Sequence, residues 1–427
     1  MFLNLGTSLN LLIGADMTPE GGSPEKPVPV SPRSHALPTA PLYHCLMEPE
    51  GEMTLRPRFR VADRRTPTLH DFPYRGEGRK CYHKWIVNVT PPGKAHCLHA
   101  CLYCYARDAV YSRGGDVPVV YGNLARMVEG ELERLELCPP VSISNITDPC
   151  QDAPEVREAV SGLVEVLCRW GVSFHVITKG DPSFLSEVEG FPGKGHFFLE
   201  VTVEGPPEVL RILSPRAPGY HARLQSLRWA KGLGLPALVR VDPVIPPLWR
   251  SIYGPGWMGV LRQVLRDAAS AGAGHAVCST GRFTSATRKT LARVIASLSA
   301  DEARSMLSDY AFDRSQTSSG YMLLPDLRLT FHLEARAAAE EAGMTYAVCQ
   351  ELPAAAADTP GLPHCEAFPM PFSRRSGIRG FTPIPGCTAN CHSTCPDPAR
   401  PPCGRPELTR PQPFAPALLK KGPVLDP

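Results

Sequence analysis

The chain has 427 residues, 43% hydrophobic and 20% charged, with a formal net charge of only +3. That is enough chain for two or three domains, or one large barrel with extensions, and too little net charge for polyanion binding by bulk electrostatics. No run reaches eighteen apolar residues, which excludes a membrane-spanning helix of ordinary length and favours a cytoplasmic protein. The odd total of 15 cysteines argues against a disulfide framework and suits a reducing compartment.

Residues Met1 to Asp16 are mildly apolar, lack a basic n-region and are too short to span a bilayer; Met17 is a second candidate start. Pro19 to Pro41 holds seven prolines among Ser, Gly and Glu, so residues 1–55 read as a disordered leader. Residues 56–83 read as a basic extension. Between Arg56 and Lys94, ten Lys/Arg stand against three acids, which fits either a solvated basic segment or a phosphate-binding strip. From residue 84 to 300 short β-branched runs alternate with amphipathic stretches. Strands are expected at Trp85–Val89, Val141–Thr147, Ser173–Thr178, His196–Val203, Ala237–Val241 and His275–Ser279. Helices are expected at Leu124–Leu137, Pro154–Trp170, Tyr220–Gly232 and Trp257–Ala271. This alternation predicts βα units and an α/β fold with a parallel sheet. Six repeats fit an incomplete (β/α)6 barrel, although a doubly wound sheet gives the same string. Residues 301–380 read as a mixed helix and strand extension, and 381–427 as a Cys-rich metal-binding segment with a disordered tail.

The run from His96 to Arg107 is the most specific in the chain. It sets Cys97, Cys101 and Cys104 at spacing C-x3-C-x2-C, directly after the first expected strand. Three close thiolates are one ligand short of closing a [4Fe-4S] cube, which takes one cysteine per iron, so one iron stays open for a small molecule. A zinc site using these cysteines with His96 or His99 is the competing reading, but zinc knuckles usually show two C-x2-C halves. In a parallel barrel, working groups gather at the C-terminal strand ends. Those ends hold Asn145, Thr147, Asp148 and Cys150, then Lys179, then Glu200 and Thr202, then Arg240 and Ile245, and last Cys278 to Thr280. Strand ends are also polar simply because the chain leaves the core there. The G-x-G-x-x-G at Gly254 to Gly259 lies too deep in the chain for a dinucleotide fingerprint and reads as a loop-to-helix connection. His221 and Arg223 read as the start of a surface helix.

The Cys101-Leu-Tyr-Cys-Tyr-Ala-Arg107 run, followed by strand ends Thr-Asp-Pro, Ile-Thr-Lys and Arg-Val-x-Pro-x-Ile-Pro, resembles the radical S-adenosylmethionine (radical SAM) superfamily. Within it the likeness is to the spore photoproduct lyase-like, or DNA repair photolyase-like, branch, over roughly residues 84 to 280. The resemblance implies a [4Fe-4S] cluster on Cys97, Cys101 and Cys104 whose open iron chelates S-adenosyl-L-methionine. The reduced cluster then cleaves that cofactor to methionine and a 5′-deoxyadenosyl radical. It further implies Tyr103 beside the adenine, Asn145 to Asp148 passing the methionine amino group, Glu200 or Thr202 facing the ribose, and Ile245 packing near the adenine. Arg240 joins the cofactor-binding candidates, and Lys179 is a candidate catalytic residue. A reductant such as flavodoxin or ferredoxin and a nucleic-acid substrate follow from the same resemblance. Two departures matter. Spore photoproduct lyases carry a hydrogen-donating cysteine on the second strand where this chain has Asn145, leaving Cys150 as the candidate donor. The approach Asn88 to Lys94 also differs from the family's, so thymine-dimer repair is not the leading assignment. The alternative class is a non-catalytic iron-sulfur or zinc protein that uses the barrel as a binding platform.

A second cysteine set, Cys387, Cys391, Cys395 and Cys403, lies in a Pro-rich stretch that cannot build much core. Metal ligation can supply folding energy there. A second [4Fe-4S] cluster, a structural zinc and no metal are the three readings, with Cys349 and Cys365 as possible extra ligands.

Overall fold

The computed structural model describes residues 58–71, 81–107, 115–314, 320–353, 356–391, 393–409 and 419–420. The Pro-rich leader and most of the tail expected to be disordered lie outside them. Seven parallel strands form the main sheet: Trp85–Val87, Val141–Ile143, Phe174–Thr178, Phe197–Thr202, Ala237–Val241, His275–Cys278 and Thr345–Val348. They lie side by side in chain order, with His70–Asp71 antiparallel outside the first. The first six fall on the six expected strands. The seventh comes from residues 301–380, where no individual strand was assigned from sequence.

A doubly wound sheet reverses its strand order at a switch point; this sheet does not. Right-handed crossovers in an unreversed order put the connecting helices on one face. The other face therefore has to cover itself. Along Phe197–Thr202 the pleat sends Phe197, Leu199 and Val201 one way and Phe198, Glu200 and Thr202 the other, and all six are buried. No helix among the described residues is long and apolar enough to cross a membrane.

Helix Pro154–Trp170 shows how the outer layer is specified. Pro154 occupies the first turn with Glu155, and Arg169 sits in the last. Val156, Val160, Leu163, Val164 and Leu167 recur on one face and are buried. Gly171 ends the helix at φ 70°, where an added Cβ would lie 2.4 Å from the Phe381 carbonyl oxygen. The glycine thus allows both the left-handed turn and the close approach. Gly254–Gly256 is a single 3-10 turn between helix Pro246–Tyr253 and helix Trp257–Ala271, so the expected loop-to-helix connection joins two helices instead.

Candidate metal centre

The cysteine loop leaves the C-terminal end of the first strand and is fastened to the matching ends of the next three. Fully buried Gln151, beyond the second strand, accepts from the Leu98 amide at 2.7 Å and donates to the His96 carbonyl at 3.2 Å. His99 Nδ1 lies 3.3 Å from Asp148. Asp148 in turn accepts from the Thr178 hydroxyl at 2.6 Å, the Lys179 amide at 2.6 Å and the Cys150 amide at 2.8 Å. One carboxylate therefore ties the second and third strand ends to the loop. Burial alone would raise its pKa, but His99 and these donors hold it well below the usual carboxylate range. The Tyr105 hydroxyl donates to the Asn145 carbonyl at 3.1 Å. Between the first two cysteines Ala100 takes φ 49°, a left-handed conformation costing on the order of 1 kcal/mol for a residue with a Cβ.

The fourth strand supplies the strongest anchor. The Tyr103 hydroxyl donates to Glu204, which also receives Arg223 and lies 3.7 Å from Lys179 Nζ. Arg223 is fully buried and donates further to the Thr202 carbonyl at 3.0 Å, the Pro218 carbonyl at 2.7 Å and Ser214 Oγ at 2.7 Å. Burial would raise the Glu204 pKa; Arg223 and Lys179 outweigh it and keep the group ionised. The expected surface helix is thus corrected at one position: His221 is exposed, but Arg223 points inward because Glu204 needs a counter-charge. Glu204 belonged to the polar end expected of the fourth strand, but neither it nor Arg223 was given a role from sequence.

The other expected residues divide. Thr147 shares its hydroxyl with Thr90 at 2.5 Å and Ser144 at 3.2 Å, turned into the core. Asn145 is half-buried and accepts from Ser142. Thr202 and Ile245 are buried, Ile245 capping helix Pro246–Tyr253. Cys150 is 1% exposed and its carbonyl lies against Gly180, where an added Cβ would meet that oxygen at 1.9 Å. Burial, with Asp148 nearby, keeps its thiol protonated. Cys150 therefore presents a buried, protonated thiol.

The three loop thiols lie near one another electrostatically. Burial pushes Cys97 up to about 11 and Cys101 up to about 12, and each feels the neighbouring cysteines. Yet among the described residues only His175, Glu200 and Glu366 bring three such ligand atoms within 4.8 Å of one another. Thiolates on one zinc, at about 2.3 Å each in a tetrahedron, would lie roughly 3.8 Å apart. The three loop sulfurs therefore do not all stand at the mutual spacing of one zinc's ligands.

The His175, Glu200 and Glu366 group is already neutralised by side chains. Lys84 donates to Glu366 at 2.6 Å, and Arg240 donates to Glu200 at 2.8 Å and to Asp242 at 2.7 Å. His175 Nδ1 lies 2.5 Å from Glu200. Lys84, counted from sequence in the basic strip, is 2% exposed and serves neither of the roles expected of that strip. Arg240 also reaches Cys349 Sγ at 3.2 Å.

Residues 364–391 close the opposite, N-terminal end of the sheet. The His83 amide donates to the Ala389 carbonyl at 2.7 Å, His275 Nε2 lies 2.9 Å from the Cys365 carbonyl, and Ser373–Arg375 pairs with Leu137–Cys138. Here His364 packs on Tyr82 with ring centroids 4.4 Å apart, and burial pushes its pKa down to about 3. The group stays neutral when folded but takes a proton below pH 6.5 when unfolded, so its contribution is lost as pH falls through that window. Between pH 7 and 5 this amounts to about 2 kcal/mol. Between pH 7 and pH 5, urea unfolding should therefore show wild type losing about 2 kcal/mol more than His364→Gln; equal losses in both proteins would remove His364 as the cause.

No family model matches the chain. Uncharacterized proteins of Mycobacterium bovis and Mycobacterium tuberculosis are 30% identical over 198 residues, 43% of this chain and 56% of theirs. An uncharacterized protein of Acidianus two-tailed virus is 27% identical over 190 residues, 40% of this chain and 60% of its own. The chain thus spans little more than half the length of the curated relatives it matches. Among solved structures it is similar to a spore photoproduct lyase mutant with bound AdoMet and dinucleoside spore photoproduct, at 16% identity and TM-score 0.49. It is likewise similar to spore photoproduct lyase complexed with dinucleoside spore photoproduct, at 17% identity and TM-score 0.46. Each likeness covers 67% of this chain and 80% of the other. The functional reading rests on the chain's own residues.

Proposed function

We propose that the chain is a radical SAM enzyme built on a partial (β/α) barrel, working at the C-terminal ends of its parallel strands. The observation that carries this reading is the Cys97, Cys101 and Cys104 loop, its sulfurs not all at the spacing of one zinc's ligands, fastened to the ends of the second, third and fourth strands. These three residues would hold a [4Fe-4S] cluster, which when bound supplies the electron that cleaves S-adenosyl-L-methionine. The protein's own part is placement. Asp148 fixes three neighbouring backbone and side-chain donors, and Glu204 holds the Tyr103 hydroxyl; the motif resemblance supports the Tyr103 ring as the group beside the adenine. Lys179 Nζ stands 5.7 Å from that ring's centroid and keeps its proton, because Glu204 outweighs the effect of burial. Arg240, Thr202 and Ile245 complete the cofactor side of this reading.

A nucleic-acid substrate and a flavodoxin or ferredoxin reductant are proposed on the motif resemblance. Anaerobic protein given dithionite and S-adenosyl-L-methionine should release 5′-deoxyadenosine slowly without any substrate, as chromatography would detect. Release no greater than in a reductant-free control would sink the enzyme reading and leave the binding platform.

A further inference from the structure

The second cysteine set converges. Cys387, Cys391, Cys395 and Cys403 line one cavity, walled otherwise by Thr388, Ala389 and prolines. Cys391 and Cys403 are buried, and the other two are half-buried. Chain connectivity alone does not require this, since Cys403 is separated from Cys395 by a Pro-rich loop. That loop is turned back so that Arg374, on the strand pairing with Leu137–Cys138, donates to the Cys403 carbonyl at 3.0 Å. Burial raises the Cys387 thiol, and Cys403 and Cys395 add to the effect, as thiols sharing one small space must.

Two features select the occupant and its place. No three of these sulfurs, among the described residues, lie within 4.8 Å of one another, whereas tetrahedral zinc would draw them to roughly 3.8 Å. Their spacing is thus not that of a single zinc's ligands, and it leaves room for a group with a separate metal for each cysteine. Moreover, the Ala389 carbonyl, between Cys387 and Cys391, accepts from the His83 amide, and the residues leading into the segment, Ser373 and Phe381, lie against Cys138 and Gly171, at the approaches to the first three strands. The segment therefore lies at the end of the sheet opposite Cys97, Cys101 and Cys104.

We propose that Cys387, Cys391, Cys395 and Cys403 bind a second [4Fe-4S] cluster at the base of the sheet, fully ligated by cysteine. With no open iron, it takes neither S-adenosyl-L-methionine nor substrate, and it holds the Pro-rich segment against the barrel.

Metal and sulfide analysis of the anaerobically reconstituted full chain tests this. Wild type should hold about eight irons, and the Cys97→Ala, Cys101→Ala, Cys104→Ala triple variant should stay brown with about four. That variant leaves the base untouched, so its result does not depend on whether mutations in the base fold. It also separates this inference from the proposed enzyme activity, since four irons would persist there even if no cofactor cleavage were found. Cys391→Ser with Cys395→Ser should lose about four irons and keep the loop cluster. A colourless triple variant, or one zinc per chain beside four irons in wild type, would overturn the proposal.

Discussion

Glu204→Ala should destabilise the protein by about 3–5 kcal/mol, because it leaves Arg223 as a buried cation without its carboxylate. Arg223 is fully buried, and its remaining acceptors are two carbonyls and a serine hydroxyl, none of which neutralises it. Removing both charges, as in Glu204→Leu with Arg223→Met, should recover most of that loss, since a buried pair is often replaceable by apolar side chains of similar volume. Urea unfolding of the two variants makes the comparison. A single variant within about 1 kcal/mol of wild type would mean that water relieves the stranded guanidinium, and the anchoring role given to Glu204 would fall with it. In variants that stay folded, Tyr103 loses its acceptor, so binding of S-adenosyl-L-methionine should weaken as well.

Replacing Cys97, Cys101 and Cys104 by alanine should abolish cofactor cleavage altogether while leaving the sheet folded. The loop reaches the sheet through Gln151, Asp148 and Glu204, whose side chains meet the Leu98 amide, His99 and Tyr103, while the Asp148 backbone also hydrogen-bonds Cys97. Circular dichroism and the thermal midpoint should therefore change little, with no 5′-deoxyadenosine above background. Unchanged cleavage in the triple variant would place the cluster elsewhere in the chain.

The sheet was legible in the sequence to the extent that its strands are buried on both faces. Continuous runs such as Phe174–Thr178 and Ala237–Val241, punctuated by amphipathic helices, carry that signal. The seventh strand, Thr345–Val348, is four residues long and follows a helix whose buried face includes Arg328 and His332, so neither neighbour advertised it. The cysteine spacing identified the loop without any tertiary information. Spacing carries no sign of which end of a sheet a segment reaches, however, so the position of the C-terminal cysteines was not legible in the sequence. Pairings such as Glu204 with Arg223 and Lys84 with Glu366 join residues whose nearness exists only after folding. Read alone, Arg223 looks like any helix-surface arginine, and Lys84 like one more charge in a basic stretch.

The closure by residues 364–391 bears on how the chain may be divided. Glu366 is the carboxylate that answers Lys84, and the Cys365 carbonyl meets His275 at the foot of the sixth strand. A gene fragment stopping soon after Val348 would contain every parallel strand and still lack its floor. Lys84 and His275 would then face water through an open base, so the last residues needed by the first strand are encoded almost three hundred positions downstream of it.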